Sequence, residues 1–204
     1  MNNFLDITEL NNQYFILRHG ESRANSEGII VGTPENGISK YGLTDEGRAQ
    51  VDRTISKAKS DELLDSKTRI VSSDFKSAFE SAGIAGQLLD SKYSVEPEPK
   101  MRARDFGDFE LQSNTHYQTV WDNDAQDSSH TSDNVESADA VMQRVTEFMW
   151  SLESYYKDQT FLLVAHGDTL QILLAAFNKY PASKQREIPH LEIAEMRPLE
   201  IKEK

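Results

Sequence analysis

Residues 14–25 read YFILRHGESRAN. Four apolar residues, Tyr14 to Leu17, run directly into Arg18, His19, Gly20 and Glu21. A buried strand ordinarily ends on turn residues; this one ends on a cation, an imidazole and a glycine, a set suited to chemistry at a loop held by a rigid strand. The pattern returns at residues 161–168, FLLVAHGD, where a second apolar run meets His166, Gly167 and Asp168.

Outward from these two points, strand and helix signals alternate. LTDEGRAQVDRTISKAKS (43–60) reads as a helix capped by Thr44, with Asp45 and Glu46 in the first turn where the helix dipole favours anions. TRIVSSD (68–74) reads as a second short strand, and from Phe75 the apolar set Phe75, Ala78, Phe79, Ala82 and Leu89 follows helical spacing. Ser94–Val95 reads as a third strand that the prolines of EPEP end. Residues 136–156 form a helix with Val141, Val145, Phe148, Met149 and Leu152 on one face. TFLLVA (160–165) is the strongest buried-strand signal, DTLQILLAAFNKY (168–180) a helix, and LEIAEMRPLEI (191–201) a last strand. Between Glu110 and Glu136 the chain turns polar and acidic, with Tyr117, Val120 and Trp121 as its anchors. The stretch at about 111–135 reads as a mobile, lid-like excursion with one short helix rather than a second domain.

Alternating βα units predict one α/β domain over residues 1–204, a three-layer αβα sandwich with a mostly parallel central sheet. Ligands of such sheets bind at the carboxyl ends of the strands, and both His-Gly pairs fall there.

Composition narrows the function. The 204 residues carry a net charge of −12, which argues against a nucleic-acid partner. Cations that bind an anionic substrate must therefore be gathered locally, and Arg18 beside His19 begins such a gathering. No cysteine is present, so disulfides, cysteine nucleophiles and thiolate metal sites are excluded. No apolar run approaches the roughly 20 residues that span a bilayer. The first residues, MNNFLDITELNNQ, lack a basic start and an apolar signal core, so the expected location is the cytoplasm. No metal-ligand spacing stands out; His116 and His130 read as solvated and His190 as a loop residue.

An imidazole with an ordinary pKa near 6.5 is largely neutral at physiological pH and can act as a nucleophile. Neighbouring cations keep it neutral and also offset the charge of an incoming phosphoryl group, whose transfer asks chiefly for positioning and positive charge. His19, with Arg18 beside it and a second His-Gly pair elsewhere, fits that requirement.

Four segments, in this order and spacing, resemble the histidine phosphatase superfamily, the phosphoglycerate-mutase-like clan. RHGESRAN resembles its Arg-His-Gly signature with an Asn six residues after the His, here Asn25. LTDEGRAQ resembles its Leu-Thr-x-x-Gly-x-x-Gln segment. VESADAVMQRV resembles its Gly-Glu-Ser helix start, with Val135 where glycine is usual, and LLVAHGDTLQILL resembles the strand and helix around its second catalytic His. The resemblance implies that His19 is transiently phosphorylated, that Arg18 and His166 hold the phosphoryl oxygens and that Asn25 lines the pocket, with Ser22 and Gly167 in the same two segments as further binding positions. It implies neither a metal nor, for a phosphatase, any cofactor.

Two positions depart from the family pattern. In SDFKSAFESA, Ser77 stands where a second phosphate-binding Arg is usual, and loss of one such preorganised donor costs on the order of 10²–10³ in rate. In MRARDFGDFE, Ala103 stands where the general-acid Glu is usual, a loss of about 10²–10⁴. Lys76 is about 100° round the helix from Ser77. Asp105, two residues on from Ala103, and Asp168 are candidate acids, Glu110 a more distant one. Arg104 matches a family position that touches substrate in the mutases and is a candidate source of pocket charge, as is Arg102.

The expected activity is hydrolysis of a phosphate ester or related phospho-compound through phospho-His19, most readily one with an easy leaving group such as an acyl phosphate or phosphoramidate. The alternative is a weak or inactive relative that binds a phosphorylated ligand or phosphoprotein. A third reading has the acidic excursion dock a protein partner over a relict pocket.

Overall fold

A computed structural model describes residues 7–201. Its strands are β1 (Gln13–Arg18), β2 (Arg69–Ser72), β3 (Glu96–Pro97), β4 (Thr160–Ala165) and β5 (Met196–Pro198), and its helices α1 (Arg23–Glu27), α2 (Pro34–Gly37), α3 (Asp45–Ser60), α4 (Lys76–Leu89), α5 (His116–Gln126), α6 (Ala138–Tyr155) and α7 (Gly167–Phe177). The strands form one sheet in the order β3-β2-β4-β1-β5; β5 runs antiparallel to β1 and every other pairing is parallel.

Side-chain alternation along the two central strands builds the three layers. Tyr14, Ile16, Phe161 and Leu163 point to one face, where α6 and α7 cover them with Val141, Val145, Met149, Leu170 and Leu174. Phe15, Leu17, Leu162 and Val164 point to the other and pack on Val51 and Ile55 of α3 and Ala78, Ala82 and Ala85 of α4. The expected αβα sandwich with a mostly parallel sheet is what the chain forms.

Helix α3 starts where Thr44 Oγ1 accepts the Gly47 N–H at 3.0 Å, with Lys57 and Lys59 in its last turn against the carboxyl-end dipole. Its first turn lies backbone to backbone on the loop after β1. A Cβ on Gly20 would stand 2.2 Å from the Gly47 carbonyl oxygen, and one on Gly47 2.0 Å from that of Glu21. Glycine at both positions lets α3 brace the loop that carries His19.

Two expectations need correction. The third strand is Glu96–Pro97, opposite Val71 and Ser72, not Ser94–Val95; it is an edge strand, where proline is tolerated. Phe79 is 42% exposed, because the buried face of α4 is the small-residue stripe around Ala78, Ala82 and Ala85. Within 111–135 the expected short helix is α5, eleven residues that place Val120 in a cluster with Ile30, Phe106 and Val135 and bury Asp124. Among the described residues no helix is long and apolar enough to cross a membrane.

Candidate active site

Strands β1 and β4 pair with Arg18 opposite Ala165, and the His19 N–H donates to the Ala165 carbonyl at 3.0 Å. This register brings His19 and His166 side by side at the carboxyl ends of the strands. Their ring centroids are 5.1 Å apart at an interplanar angle of 63°, and both side chains are buried.

His19 Nδ1 lies 2.7 Å from the Gly20 carbonyl oxygen. A carbonyl can only accept, so Nδ1 carries the proton and Nε2 keeps its lone pair. Burial, helped by the Arg18 charge and opposed by the Gly20 carbonyl, lowers the His19 pKa to about 4. His166 Nε2 is 2.9 Å from Ser73 Oγ, just past the end of β2; burial, then the neighbouring His19, holds its pKa well below the usual 6.5. Both rings are neutral at physiological pH.

A pH dependence of stability follows. Between pH 6.5 and 4 the unfolded chain takes up a proton at His19 that the native chain refuses, so this contribution is complete above pH 6.5 and is lost as pH falls toward 4. The urea midpoint is expected to fall across that window, by up to about 1.4 kcal/mol per pH unit for each such histidine. The slope should be shallower in His19→Asn; an unchanged slope would contradict the assignment of a neutral His19.

Arg18 Nη1 donates to the Leu191 carbonyl at 2.9 Å and meets His190 Nε2 at 3.0 Å. A Cβ on Gly167 would stand 3.1 Å from Arg18 Cζ, so glycine at the start of α7 makes room for the guanidinium. The Asn25 carbonyl oxygen accepts from the Ser22 N–H at 3.0 Å and from Ser22 Oγ at 2.9 Å. That orients the amide, whose Nδ2–H₂ has no hydrogen-bond partner among the described residues. Ser22, expected to bind substrate, caps α1 instead: its Oγ accepts the Asn25 N–H at 3.2 Å. Arg18, His19, Ser22, Asn25, Arg104, His166 and Gly167 all border one cavity of about 330 Å³, with Ser77 and Ala103 in its wall.

Asp105 does not border that cavity. Its carboxylate, the expected general acid, accepts the Gly107 N–H at 2.8 Å, where the chain turns into a short 3₁₀ segment. Glu110 accepts from the Gly32 N–H and from Thr33 and Asn36, holding the 32–36 loop. Arg102 forms a two-pronged pair with Asp74 at 2.8 and 2.6 Å, and Lys76 Nζ donates to the Ser39 carbonyl, so neither lends charge to the cavity. Arg104 is fully buried and four acceptors occupy it: Asp124 at 2.6 and 2.8 Å, the Glu136 carbonyl at 2.7 Å and Asp168 at 3.2 Å. It braces the wall rather than offering a free charge. His130, expected to be solvated, sits with its Nε2 3.0 Å from Asp124 Oδ1 and its side chain 9% exposed; His116 stacks on Phe109.

Two wall residues, Arg186 and His190, and Asp124 behind the wall escaped the sequence reading as site residues; Trp121, an expected anchor of the excursion, borders the cavity as well. Trp121 Nε1–H donates to Asp168 Oδ1 at 2.9 Å. Arg186 lies flat over the Trp121 ring, Cζ 3.4 Å from its centroid, and pairs with the same Asp168 oxygen. His190 stands between Arg18 and Arg186, and Asp124 anchors Arg104. Arg186 and His190 lie in a polar stretch with no periodicity to mark them, while Asp124 is one acid among many in the excursion. Among the described residues no group of three or more His, Asp or Glu could hold a metal ion.

Comparison with known proteins agrees with this geometry. The chain is 27% identical over 175 residues to the adenosylcobalamin/alpha-ribazole phosphatase of Escherichia coli K12, covering 82% of this chain and 80% of that one. It is 26% identical over 177 residues to the Salmonella typhimurium LT2 protein of the same name, covering 83% and 81%. Its fold superposes on a mycobacterial glucosyl-3-phosphoglycerate phosphatase in complex with VO3 at a TM-score of 0.76, with 21% identity and 91% of each chain covered. The alpha-ribazole phosphatase of Shigella flexneri gives 0.71, with 24% identity and 91% and 89% covered. A family profile matches residues 14–204, the span that holds both paired histidines, Arg18 and all but the first residue of the sheet that aligns them, and by that match the chain belongs to the histidine phosphatase superfamily, branch 1.

Proposed function

We propose that this protein is a phosphatase that hydrolyses a small phosphate monoester or related phospho-compound through phospho-His19. One observation carries the reading: His19 has its Nδ1 committed to the Gly20 carbonyl, so Nε2 presents a lone pair beside His166 and Arg18 in a cavity sized for a small metabolite. Family membership and the names of both curated relatives support hydrolysis of a phosphate ester.

In the proposed sequence His19 Nε2 attacks phosphorus, the N–P bond forms and the P–O bond to the leaving group breaks. Arg18, His166 and the Asn25 amide hold the equatorial oxygens, where charge builds up. Water then attacks phosphohistidine, the N–P bond breaks, and inorganic phosphate leaves with His19 neutral again. Among the described residues Asp168 is the one carboxylate in the cavity wall, and donors from Trp121, Arg186 and Arg104 take up its oxygens. Among these residues no free carboxylic acid lines the wall to protonate a leaving oxygen, which favours substrates whose leaving group departs as a stable anion. Acetyl phosphate turnover is expected to exceed that of ethyl phosphate by at least about 10², the scale of a general acid's contribution. Equal rates would point to an acid elsewhere; binding without turnover of either would favour a non-catalytic phosphate-binding relative.

The chain is proposed to work as one domain, with the excursion that carries α5 serving as the wall beside the leaving group. A cytoplasmic location and a small phosphorylated substrate or phosphoprotein as partner complete the proposal.

A further inference from the structure

His190, open to solvent on one side, is flanked by two guanidinium groups. Its Nε2 faces Arg18 Nη1 at 3.0 Å and its Nδ1 faces Arg186 Nη1 at 3.3 Å. Guanidinium groups only donate, whereas a neutral imidazole has one accepting nitrogen and one N–H. Whichever tautomer forms, one of the two contacts sets a donor against a donor. The shorter contact marks Nε2 as the acceptor, which leaves Nδ1–H pointing at Arg186.

The same spot holds two further unmet donors. Arg18 Nε and Arg186 Nε are both shielded from solvent and make no hydrogen bond among the described residues. Leaving such donors buried costs about 1–3 kcal/mol each, so a native structure that keeps two side by side calls for an explanation. Arg186 is also held rigidly, flat on Trp121 and paired with Asp168. Asp168 and Asp124 pair with Arg186 and Arg104, whereas among the described residues Arg18 makes no ion pair and feels Glu192 and Asp168 only at longer range. The cluster thus gathers three guanidinium groups at one place in a chain of net charge −12.

We infer that Arg186 and His190 form a second anion position beside the phosphoryl pocket, which takes a carboxylate or second phosphate carried by the leaving group of the substrate. An oxygen seated between His190 Nδ1–H and Arg186 accepts from both and turns the donor conflict into two charge-assisted hydrogen bonds. The inference deepens the proposed function, since it uses the same cavity and names the class of substrate: a phospho-compound with another anionic group.

Binding tests it without relying on turnover. Calorimetry on the His19→Ala protein would compare 2-phosphoglycolate with ethyl phosphate, and 3-phosphoglycerate with glycerol 1-phosphate, two matched pairs that differ by a carboxylate at two spacings. At least one carboxylate member is expected to bind about 10–100-fold tighter than its partner, the worth of one hydrogen bond to a charged group. That preference should vanish in Arg186→Met and persist in part in Arg186→Lys, while inorganic phosphate affinity changes by less than about threefold. Should Arg186→Met melt early, His190→Phe supplies the second variant, with the same loss of preference expected. No preference at either spacing overturns the inference, as does an equal loss of inorganic phosphate binding in Arg186→Met. If phosphate binds to none of these proteins, the proposed function itself fails, and the two failures are told apart.

Discussion

His19→Ala is expected to abolish turnover of every substrate the protein hydrolyses, by at least about 10⁴-fold in kcat, the scale on which loss of a covalent nucleophile is felt in other hydrolases. The reason is geometric. The other two cavity imidazoles each have Nε2 committed, His166 to Ser73 and His190 to Arg18. Among the described residues, only at His19 does a backbone carbonyl fix the tautomer so that Nε2 keeps its lone pair. Quenched reactions of the native protein with acetyl phosphate should yield an acid-labile, base-stable phosphoenzyme, and His19→Ala should yield none. His166→Ala removes an oxyanion donor rather than the nucleophile, so it should slow turnover by about 10²–10³ yet still leave label on His19. Label persisting in His19→Ala would remove this residue from the role.

The second large effect is on stability. Asp124→Leu leaves the fully buried Arg104 without its two-pronged partner and strips His130 and Gln185 of an acceptor. Breaking a buried pair from one side typically costs about 3–5 kcal/mol, because the surviving charge is left in a medium that solvates it poorly. At roughly 2–4 °C per kcal/mol for a chain of this size, Tm should fall by about 10 °C. Asp124→Leu combined with Arg104→Met should recover part of the loss, since an apolar pair leaves no uncompensated charge. A double variant no more stable than the single one would show that the pair is not what holds α5 in place.

The sequence alone determined the sheet, its helical cover and the two histidines that meet across it. Those features rest on local periodicity and on strand ends, and each is written in contiguous residues: TFLLVA is buried wherever it lies, and a His that follows such a strand must emerge at the carboxyl edge. Ser77 and Ala103 were also legible, because a departure from a family pattern occurs at a known position. Tertiary structure alone decided which charges are free. Arg104 and Arg186 look alike in sequence, yet Asp124, twenty residues away, binds the first on both prongs, while the second keeps an unpartnered Nε beside His190. Asp105 was the favoured acid and Asp168 the second candidate; a turn commits the first to the Gly107 N–H, and three donors surround the second. Electrostatic roles depend on distances between groups far apart along the chain, and such distances are fixed only when the layers pack.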